Sequence, residues 1–191
     1  MNIEQIQQCI IESSQLQIIG SASQVRPSHS NILDMSQYAG VIGYHPEELV
    51  MTVKSGTRIK QIQSILEHKG QSLPFPVQDN ENASIGGAYA MGSPELRDAV
   101  LGVKLVDGQG RVLNFGGQVM KNVAGYDVAR LLVGSQGKLA VICDISFKVL
   151  PQAYIDLSEQ KMPLQTTEKS PTILQVEQGL KTIFDPKSIF I

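Results

Sequence analysis

The chain has 191 residues, 42% of them hydrophobic and 18% charged, which is typical of one globular domain or two small ones. A formal net charge of −2 excludes the basic surface that binds nucleic acids or anionic membranes. No apolar run approaches the ~20 residues of a membrane span, and the N-terminus does not resemble a signal peptide. A cytoplasmic protein is therefore expected.

The first 75 residues predict a small mixed sheet covered by two helices. In chain order they contain a helix over 2–14, a strand over 16–20, an irregular polar stretch over 21–39 and strands over 41–44 and 48–53. Thr57 is predicted to cap a second helix, whose apolar residues share one face and which ends at Gly70. This part of the chain therefore predicts α+β structure.

The second block runs from residue 76 to residue 151 and alternates helices with strands. Its predicted elements are a helix beginning near residue 83, strands over 100–106 and 111–115, a short helix capped by Asp127 and a long strand over 139–150. The sequence Asp107-Gly108-Gln109-Gly110 predicts a hairpin turn between the first two strands. Residues 152–171 are polar and predict a linker, and residues 172–183 predict a helix before an apolar C-terminal tip.

Metal ligands and a histidine-assisted nucleophile are not predicted. Cys9 lies on the apolar side of the first helix, Cys143 lies in a strand-like run, and the three histidines are scattered. Zinc sites need clustered cysteines and histidines, and catalytic serines or cysteines need a nearby base. Both cysteines are therefore predicted to be small buried hydrophobic residues.

Glycine is concentrated in one part of the chain, with 11 of the 17 glycines between Gly86 and Gly137. Glycine inside a helix or strand costs roughly 0.5–1 kcal/mol relative to alanine. Five of them interrupt a run of otherwise good helix and strand formers, at positions 116, 117, 125, 134 and 137. This segment is predicted to contain backbone that turns sharply or approaches another group closely.

Two loops of small residues are candidate phosphate-binding sites. One is Gly20-Ser21-Ala22-Ser23, after a predicted strand, and the other is Ser84-Ile85-Gly86-Gly87, at the start of a predicted helix. Main-chain amides and serine hydroxyls at such turns bind phosphate without a lysine. The alternative is a pair of tight turns needed only for packing, and spacing alone favours it. Neither loop has the P-loop or the Rossmann pattern.

The segment 115–127, Phe-Gly-Gly-Gln-Val-Met-Lys-Asn-Val-Ala-Gly-Tyr-Asp, resembles the signature of the FAD-binding E subunits of bacterial glycolate oxidases. These subunits are vanillyl-alcohol-oxidase-like flavoproteins with an FAD domain of the PCMH type. Other segments that resemble the family occur in the family's order, at 43–49, 70–75, 83–87, 97–103 and 134–139. The resemblance covers about residues 3–152.

The resemblance implies an α+β fold of PCMH type, with FAD held between two α+β subdomains, 1–75 and 76–151. It places the pyrophosphate at the two small-residue loops, and Pro76 and the main chain around Val141 near the flavin and adenine portions. The implied FAD-binding residues are Gly20, Ser21, Ala22, Ser23, Pro76, Ala83, Ser84, Ile85, Gly86, Gly87 and Val141. Because the first loop has no histidine or cysteine, noncovalent FAD is expected.

The chain departs from the family pattern in both loops and near its end. The family's first loop is Gly-Gly-Gly-Ser/Thr, whereas only Gly20 remains here, and a Cβ atom restricts positive φ and close approach to phosphate. The continuation of the second loop is shortened to residues 92–96, where Glu95 adds negative charge. Residues 152–171 stand where the family has its cap domain, and residues 172–191 resemble the family's terminal segment.

The resemblance leaves two functions open. The first is the FAD-binding subunit of a complex that oxidises a 2-hydroxy acid such as glycolate. Its implied partners are a second flavoprotein subunit and an iron–sulfur subunit, through which it would associate with the membrane. The second is a non-catalytic assembly subunit that keeps the fold but has lost FAD, which the altered loops favour. The nearly complete signature at 115–127 favours the first, and the resemblance assigns no catalytic residue.

Overall fold

The computed structural model describes residues 1–20, 31–77, 80–118, 127–154 and 171–191, with the backbone alone for Tyr154 and residues 171–174. The helices are α1 (Ile3–Glu12), α2 (Ile59–Glu67), α3 (Ile85–Met91), α4 (Pro94–Ala99), α5 (Val128–Leu131) and α6 (Pro171–Phe184). The strands are β1 (Gln17–Ile19), β2 (Ile32–Asp34), β3 (Val41–His45), β4 (Val50–Lys54), β5 (Gln71–Ser72), β6 (Val100–Val106), β7 (Val112–Gly116), β8 (Val141–Lys148) and β9 (Leu150–Pro151). Within these ranges no helix is long and apolar enough to cross a membrane.

A five-stranded antiparallel sheet organises the fold, with the strand order β3-β4-β8-β6-β7. Two smaller pairs lie outside it, the parallel pair β1-β2 and the antiparallel pair β5-β9. The large sheet takes β3 and β4 from before residue 75 and its other strands from after it. The division into subdomains at that residue stays a prediction.

One face of the large sheet carries the larger hydrophobic cluster. Alternate residues of β4 and β8 point into it because strand side chains alternate between faces. Helix α2 presents Ile59, Ile62 and Leu66 to this cluster at helical spacing, and α3 adds the fully buried Tyr89. The sheet residues at its centre are Met51, Val53, Ile145 and Phe147.

The other face carries a smaller cluster at the end of the sheet where β6 finishes and β8 begins. Helix α1, with a capping box between Asn2 and Gln5, buries Ile6 and Ile10 there. The remaining buried members are Leu16, Leu33, Met35, Tyr38, Val106, Val141, Cys143, Ile189 and Phe190. The N-terminal elements and the C-terminal residues therefore share one core.

Most predicted elements are confirmed, but two predictions in the first block are wrong. Thr57 is not the cap of α2. It is fully buried, and its hydroxyl donates to the Lys54 carbonyl oxygen at 2.6 Å and accepts from the Gly40 amide at 2.9 Å. Arg58 occupies the N-cap without a side-chain bond. The stretch predicted to be irregular contains β2, which exists because it pairs in parallel with β1 and buries Leu33.

Candidate functional site

Gly20, the first residue of one small-residue loop, lies against Ser84 of the other, although 64 positions separate the two residues. Gly20 directly follows β1, and Ser84 is the N-cap residue of α3. A Cβ atom placed on Gly20 would lie 2.8 Å from the Ser84 Oγ, which is closer than Cβ atoms approach other groups in proteins. A larger residue at position 20 would therefore displace the Ser84 hydroxyl. Ser21, Ala22 and Ser23 lie outside the described residues.

The amides of the second loop already have acceptors within the protein. The Ile85 amide donates to the Thr57 carbonyl oxygen at 3.0 Å, and the Gly86 amide donates to the Ser55 carbonyl oxygen at 2.8 Å. The Gly87 amide donates to the Ser84 Oγ at 3.2 Å. The first two bonds attach α3 to the chain that follows β4, and the third caps the helix. Because these three amides already donate hydrogen bonds within the protein, a ligand at this loop would meet hydroxyl groups instead.

Ser55 places an unpaired hydroxyl beside this loop. The residue is 2% exposed, and its Oγ has no hydrogen-bond partner among the described residues. A Cβ atom on Gly86 would lie 2.8 Å from the Ser55 Cβ and from its carbonyl oxygen, so Gly86 is needed for this close packing. A buried polar group without a partner costs about 1–3 kcal/mol. A polar ligand reaching the hydroxyl would remove that cost, so this residue fits a bound polar group.

Ser84 supplies a second hydroxyl at the same place. Its Oγ accepts the Gly87 amide hydrogen, and its own hydroxyl hydrogen has no acceptor among the described residues. The side chain is buried, and it faces Gly20 at the end of β1. Ala83 and Ile85 flank it as buried apolar residues. The hydroxyl is therefore a candidate donor to a phosphate oxygen between the two loops.

A third loop, residues 134–139, adjoins both α3 and β1. The Gly134 amide donates to the Tyr89 carbonyl oxygen and the Gln136 amide to the Ala90 carbonyl oxygen, each at 2.9 Å. These bonds pair carbonyl groups at the C-terminal end of α3, which have no partner within the helix. A Cβ atom on Gly137 would lie 3.5 Å from the Ile18 Cβ in β1. The loop thus connects the two elements that carry Ser84 and Gly20.

A cavity of about 440 Å³ opens between this third loop and the C-terminal residues. Its volume lies in the range of small-molecule sites. It is lined by Gly134, Ser135, Gln136, Lys138, Leu139, Glu177, Gln178, Lys181, Phe190 and Ile191.

Pro76 and Val141 occupy very different environments. Pro76 is exposed, whereas the Val141 side chain is 0% exposed and packs in the smaller hydrophobic cluster. Val141 pairs with Val106 on one side, and β4 ends at Lys54 opposite Asp144 on the other. Before Asp144, β8 has no partner in β4, although the Ser55 amide directly after β4 donates to the Cys143 carbonyl oxygen at 2.7 Å. Since the Val141 side chain is buried, the residue could meet a ligand only through its main chain.

The first glycines of the signature let the chain fold back over the sheet. Gly116 has a φ of +71°, and a Cβ atom there would lie 2.1 Å from the Leu101 carbonyl oxygen. A Cβ atom on Gly102 would lie 2.6 Å from the Gly117 nitrogen. Past this crossing, the Gln118 side-chain amide donates to the Thr52 Oγ1 at 3.0 Å. The predicted sharp turn with close approach is confirmed at 116–117, and residues 119–126 lie outside the described residues.

A buried polar cluster that the sequence did not predict lies on the face of the sheet that carries the smaller hydrophobic cluster. The Tyr38 hydroxyl donates to the Asp144 Oδ1 at 2.9 Å, and the Lys104 Nζ lies 3.0 Å from the Asp144 Oδ2. Burial, followed by the hydrogen bond to Asp144, raises the pKa of Tyr38 well above its ordinary value. Burial also raises the pKa of the Cys143 thiol to about 12. The only sequence signal was charged residues within otherwise apolar strands.

The amino-acid sequence matches a family of known proteins over most of these elements. The FAD binding domain family matches residues 6–116. The chain is 44% identical over 168 residues to glycolate oxidase subunit GlcE of Escherichia coli (strain K12), which covers 82% of the chain and 48% of GlcE. It is 34% identical over 122 residues to D-lactate dehydrogenase of Archaeoglobus fulgidus, covering 60% and 27%, respectively.

A third relative is glycolate oxidase subunit GlcD of Bacillus subtilis (strain 168), with 32% identity over 114 residues, 56% of the chain and 24% of GlcD. The chain thus spans about half the length of GlcE and about a quarter of the other two relatives. The family match contains Gly20, the Ser84 loop and Gly116. The chain therefore belongs to the family of FAD-binding domains and has their α+β fold of the PCMH type.

Proposed function

We propose that the chain binds FAD noncovalently between the two small-residue loops. The observation that carries the proposal is the contact of Gly20 with the Ser84 hydroxyl, which brings together two segments distant in sequence. Both segments lie within the part of the chain that matches the FAD-binding family. A packing role alone explains Gly86, but it leaves the buried Ser55 hydroxyl without a partner.

The residues that would hold FAD supply hydroxyl groups and close-approaching main chain. We assign the pyrophosphate to the Ser55 and Ser84 hydroxyls together with the first loop, Gly20-Ser21-Ala22-Ser23. Ala83, Ile85, Gly86 and Gly87 shape the second loop, and the main chain at Val141 is assigned to the adenine portion. Exposed Pro76 is assigned to the flavin side. When bound, FAD would supply a hydride acceptor, while the protein contributes position and electrostatic environment.

We further propose that the chain is the FAD-binding subunit of a complex that oxidises a 2-hydroxy acid such as glycolate. The relative with 44% identity is itself named a glycolate oxidase subunit, and the chain spans about half its length. A substrate pocket would then need residues from partners, and a second flavoprotein and an iron–sulfur subunit are the proposed partners. The family match favours this function over a non-catalytic assembly subunit that lacks FAD.

Spectroscopy of the purified protein tests FAD binding. We expect the absorption bands of an oxidised flavin, and uptake of FAD by flavin-free protein measured through the change in flavin fluorescence. Ser84→Ala should weaken FAD binding about tenfold, or about 1.4 kcal/mol. Ser64→Ala is the matched control because Ser64 is exposed on α2. A colourless protein that takes up no added FAD would support the assembly subunit instead.

Co-purification tests the complex. The tagged chain, expressed in its native cells, should retain a flavoprotein and an iron–sulfur protein together. Glycolate-dependent reduction of an artificial electron acceptor should appear in that complex and not in the isolated chain. A chain that is recovered alone under mild conditions contradicts the proposed partners.

A further inference from the structure

The ammonium group of Lys181 makes three hydrogen bonds that connect two separate parts of the chain. Its Nζ donates to the Lys138 carbonyl oxygen at 2.7 Å, to the Asp185 Oδ2 at 2.6 Å and to the Phe190 carbonyl oxygen at 2.6 Å. An ammonium group has three hydrogens, so each contact can use one of them. Lys138 belongs to the third loop, which also contacts α3 and β1. The lysine therefore joins that loop to the C-terminal residues.

Asp185 organises the residues that follow it. Its Oδ1 accepts from the Ile189 amide and its Oδ2 accepts from the Phe190 amide, both at 2.9 Å. The side chain is fully buried, and a carboxylate at that position requires such donors. The bonds with Lys181 and the two amides meet this need. The turn between Asp185 and Phe190 is consequently held in one conformation by charge-assisted hydrogen bonds.

The same residues pair with the strand that leads to Gly20. The Leu16 amide donates to the Ile189 carbonyl oxygen at 2.8 Å, and the Ile191 amide donates to the Leu16 carbonyl oxygen at 3.3 Å. Leu16 and Phe190 form a parallel bridge next to β1. Both side chains are buried in the smaller cluster. The C-terminal residues thus extend the small β1-β2 pair on its other side.

We infer that residues 181–191, the C-terminal strap, hold β1 against the third loop and thereby set the affinity of the site between Gly20 and Ser84 for FAD. The inference rests on the proposed function for its ligand. Lys181 and Asp185 act as positioning residues, since they reach the site only through Lys138 and Leu16. The strap lies after the polar segment 155–170, so FAD binding depends on residues outside the family match at 6–116.

The first test compares Lys181→Met, Lys181→Arg and Lys187→Met for FAD binding to flavin-free protein. Lys187 is the matched control because it is an exposed lysine in the same strap. Lys181→Met should raise the dissociation constant of FAD at least about tenfold, since three charge-assisted bonds are lost. Lys181→Arg keeps the charge and several donors and should restore much of the affinity. Lys187→Met should bind FAD like the wild type.

Hydrogen exchange of the flavin-free proteins provides the readout that does not require FAD. The amides of Leu16 and Gln136 should exchange faster in Lys181→Met than in the wild type, whereas that of Ile62 in α2 should not change. If Lys181→Met does not fold, Asp185→Asn replaces it, because the side-chain amide keeps one acceptor for the strap. Faster exchange at Leu16 and Gln136 and weaker FAD binding are expected for this variant too. Unchanged exchange at Leu16 and Gln136 together with wild-type FAD affinity overturns the inference.

The two proposals fail in distinguishable ways. A wild-type protein that takes up no FAD overturns the proposed function and, with it, the effect of the strap on FAD affinity, while hydrogen exchange then tests whether the strap holds β1 against the third loop. A wild-type protein that binds FAD, with a Lys181→Met variant that binds it equally well, overturns the role of the strap in binding. It leaves the proposed function intact.

Discussion

The two faces of the five-stranded sheet are covered in different ways. On one face, α2 and α3 pack on a continuous hydrophobic cluster around residues such as Ile62, Leu66 and Phe147. On the other, α1, β1 and the C-terminal strap form a smaller cluster that is closed by the polar contacts of Lys181 and Asp185. The covering of the first face comes from the middle of the chain, and that of the second comes from its two ends.

The two faces hold different residues of the proposed FAD site. Ser84 is held on the side of the large cluster, because the amides around it are bonded to the chain after β4. Gly20 is held on the side of the small cluster, through Leu16 and the strap. The proposed FAD site therefore lies between a part stabilised by burial and a part stabilised by charge-assisted bonds. We expect changes on the second side to affect binding more than changes on the first.

The largest expected effects come from truncating one core residue on each side. Leu66→Ala and Ile10→Ala each remove a fully buried side chain and should lower the free energy of unfolding by about 2–5 kcal/mol. Leu66→Ala should leave the FAD affinity of the folded protein unchanged, whereas Ile10→Ala should weaken it by loosening the small cluster. Urea unfolding and FAD titration of both variants measure this. Equal losses of FAD affinity in the two variants would contradict the different roles of the two faces.

A smaller loss of stability is expected from a substitution at Gly116, where the chain folds back over the sheet. Gly116→Ala would place a Cβ atom against the Leu101 carbonyl oxygen at a residue with positive φ, and should cost about 2 kcal/mol. Gly117→Ala is the adjacent control, because a Cβ atom on Gly117 meets nothing within 4 Å. Thermal unfolding of the two variants tests the crossing directly. Similar stabilities for the two would show that the chain does not fold back at Gly116.

The smallest expected effect concerns Tyr38 at the edge of the small cluster. Its pKa is raised in the folded protein, so the unfolded chain releases this proton first as the pH rises above about 10. The stability contributed by the neutral phenol is therefore complete below that pH and is lost as the pH rises towards the folded-state pKa. Tyr38→Phe should reduce the alkaline loss of stability, measured by urea unfolding between pH 8 and pH 11. An identical alkaline profile for wild type and variant would contradict the raised pKa.

The sequence predicted the elements whose signals are local. Apolar spacing in α1 and α2 and the Asp107–Gly110 turn identify their elements because neighbouring residues determine them. Strand β2 was missed because three residues carry no period, and its pairing with β1 supplies the stability. Thr57 was misassigned because its hydroxyl bonds to Gly40 and Lys54 rather than to the helix.

The site was predictable only in part, because its contacts join segments that are distant in the sequence. Both small-residue loops are visible in the sequence, but the contact between Gly20 and Ser84 is not, since it depends on the whole fold. The internal bonding of the Gly86 amide depends on Ser55 in a distant segment. The strap joins Leu16 to Phe190 across nearly the full length of the chain, and no pattern within either segment indicates that contact.

The preference of the flavin-free protein for FAD over FMN tests the central claim most directly. Because the proposed loops hold the pyrophosphate and the adenine portion, FAD should bind at least about tenfold more tightly than FMN, which lacks the adenosine part. Titration of the same protein with both flavins, followed by flavin fluorescence, measures this ratio. Equal affinities for the two flavins, or binding of neither, would contradict a site between Gly20 and Ser84.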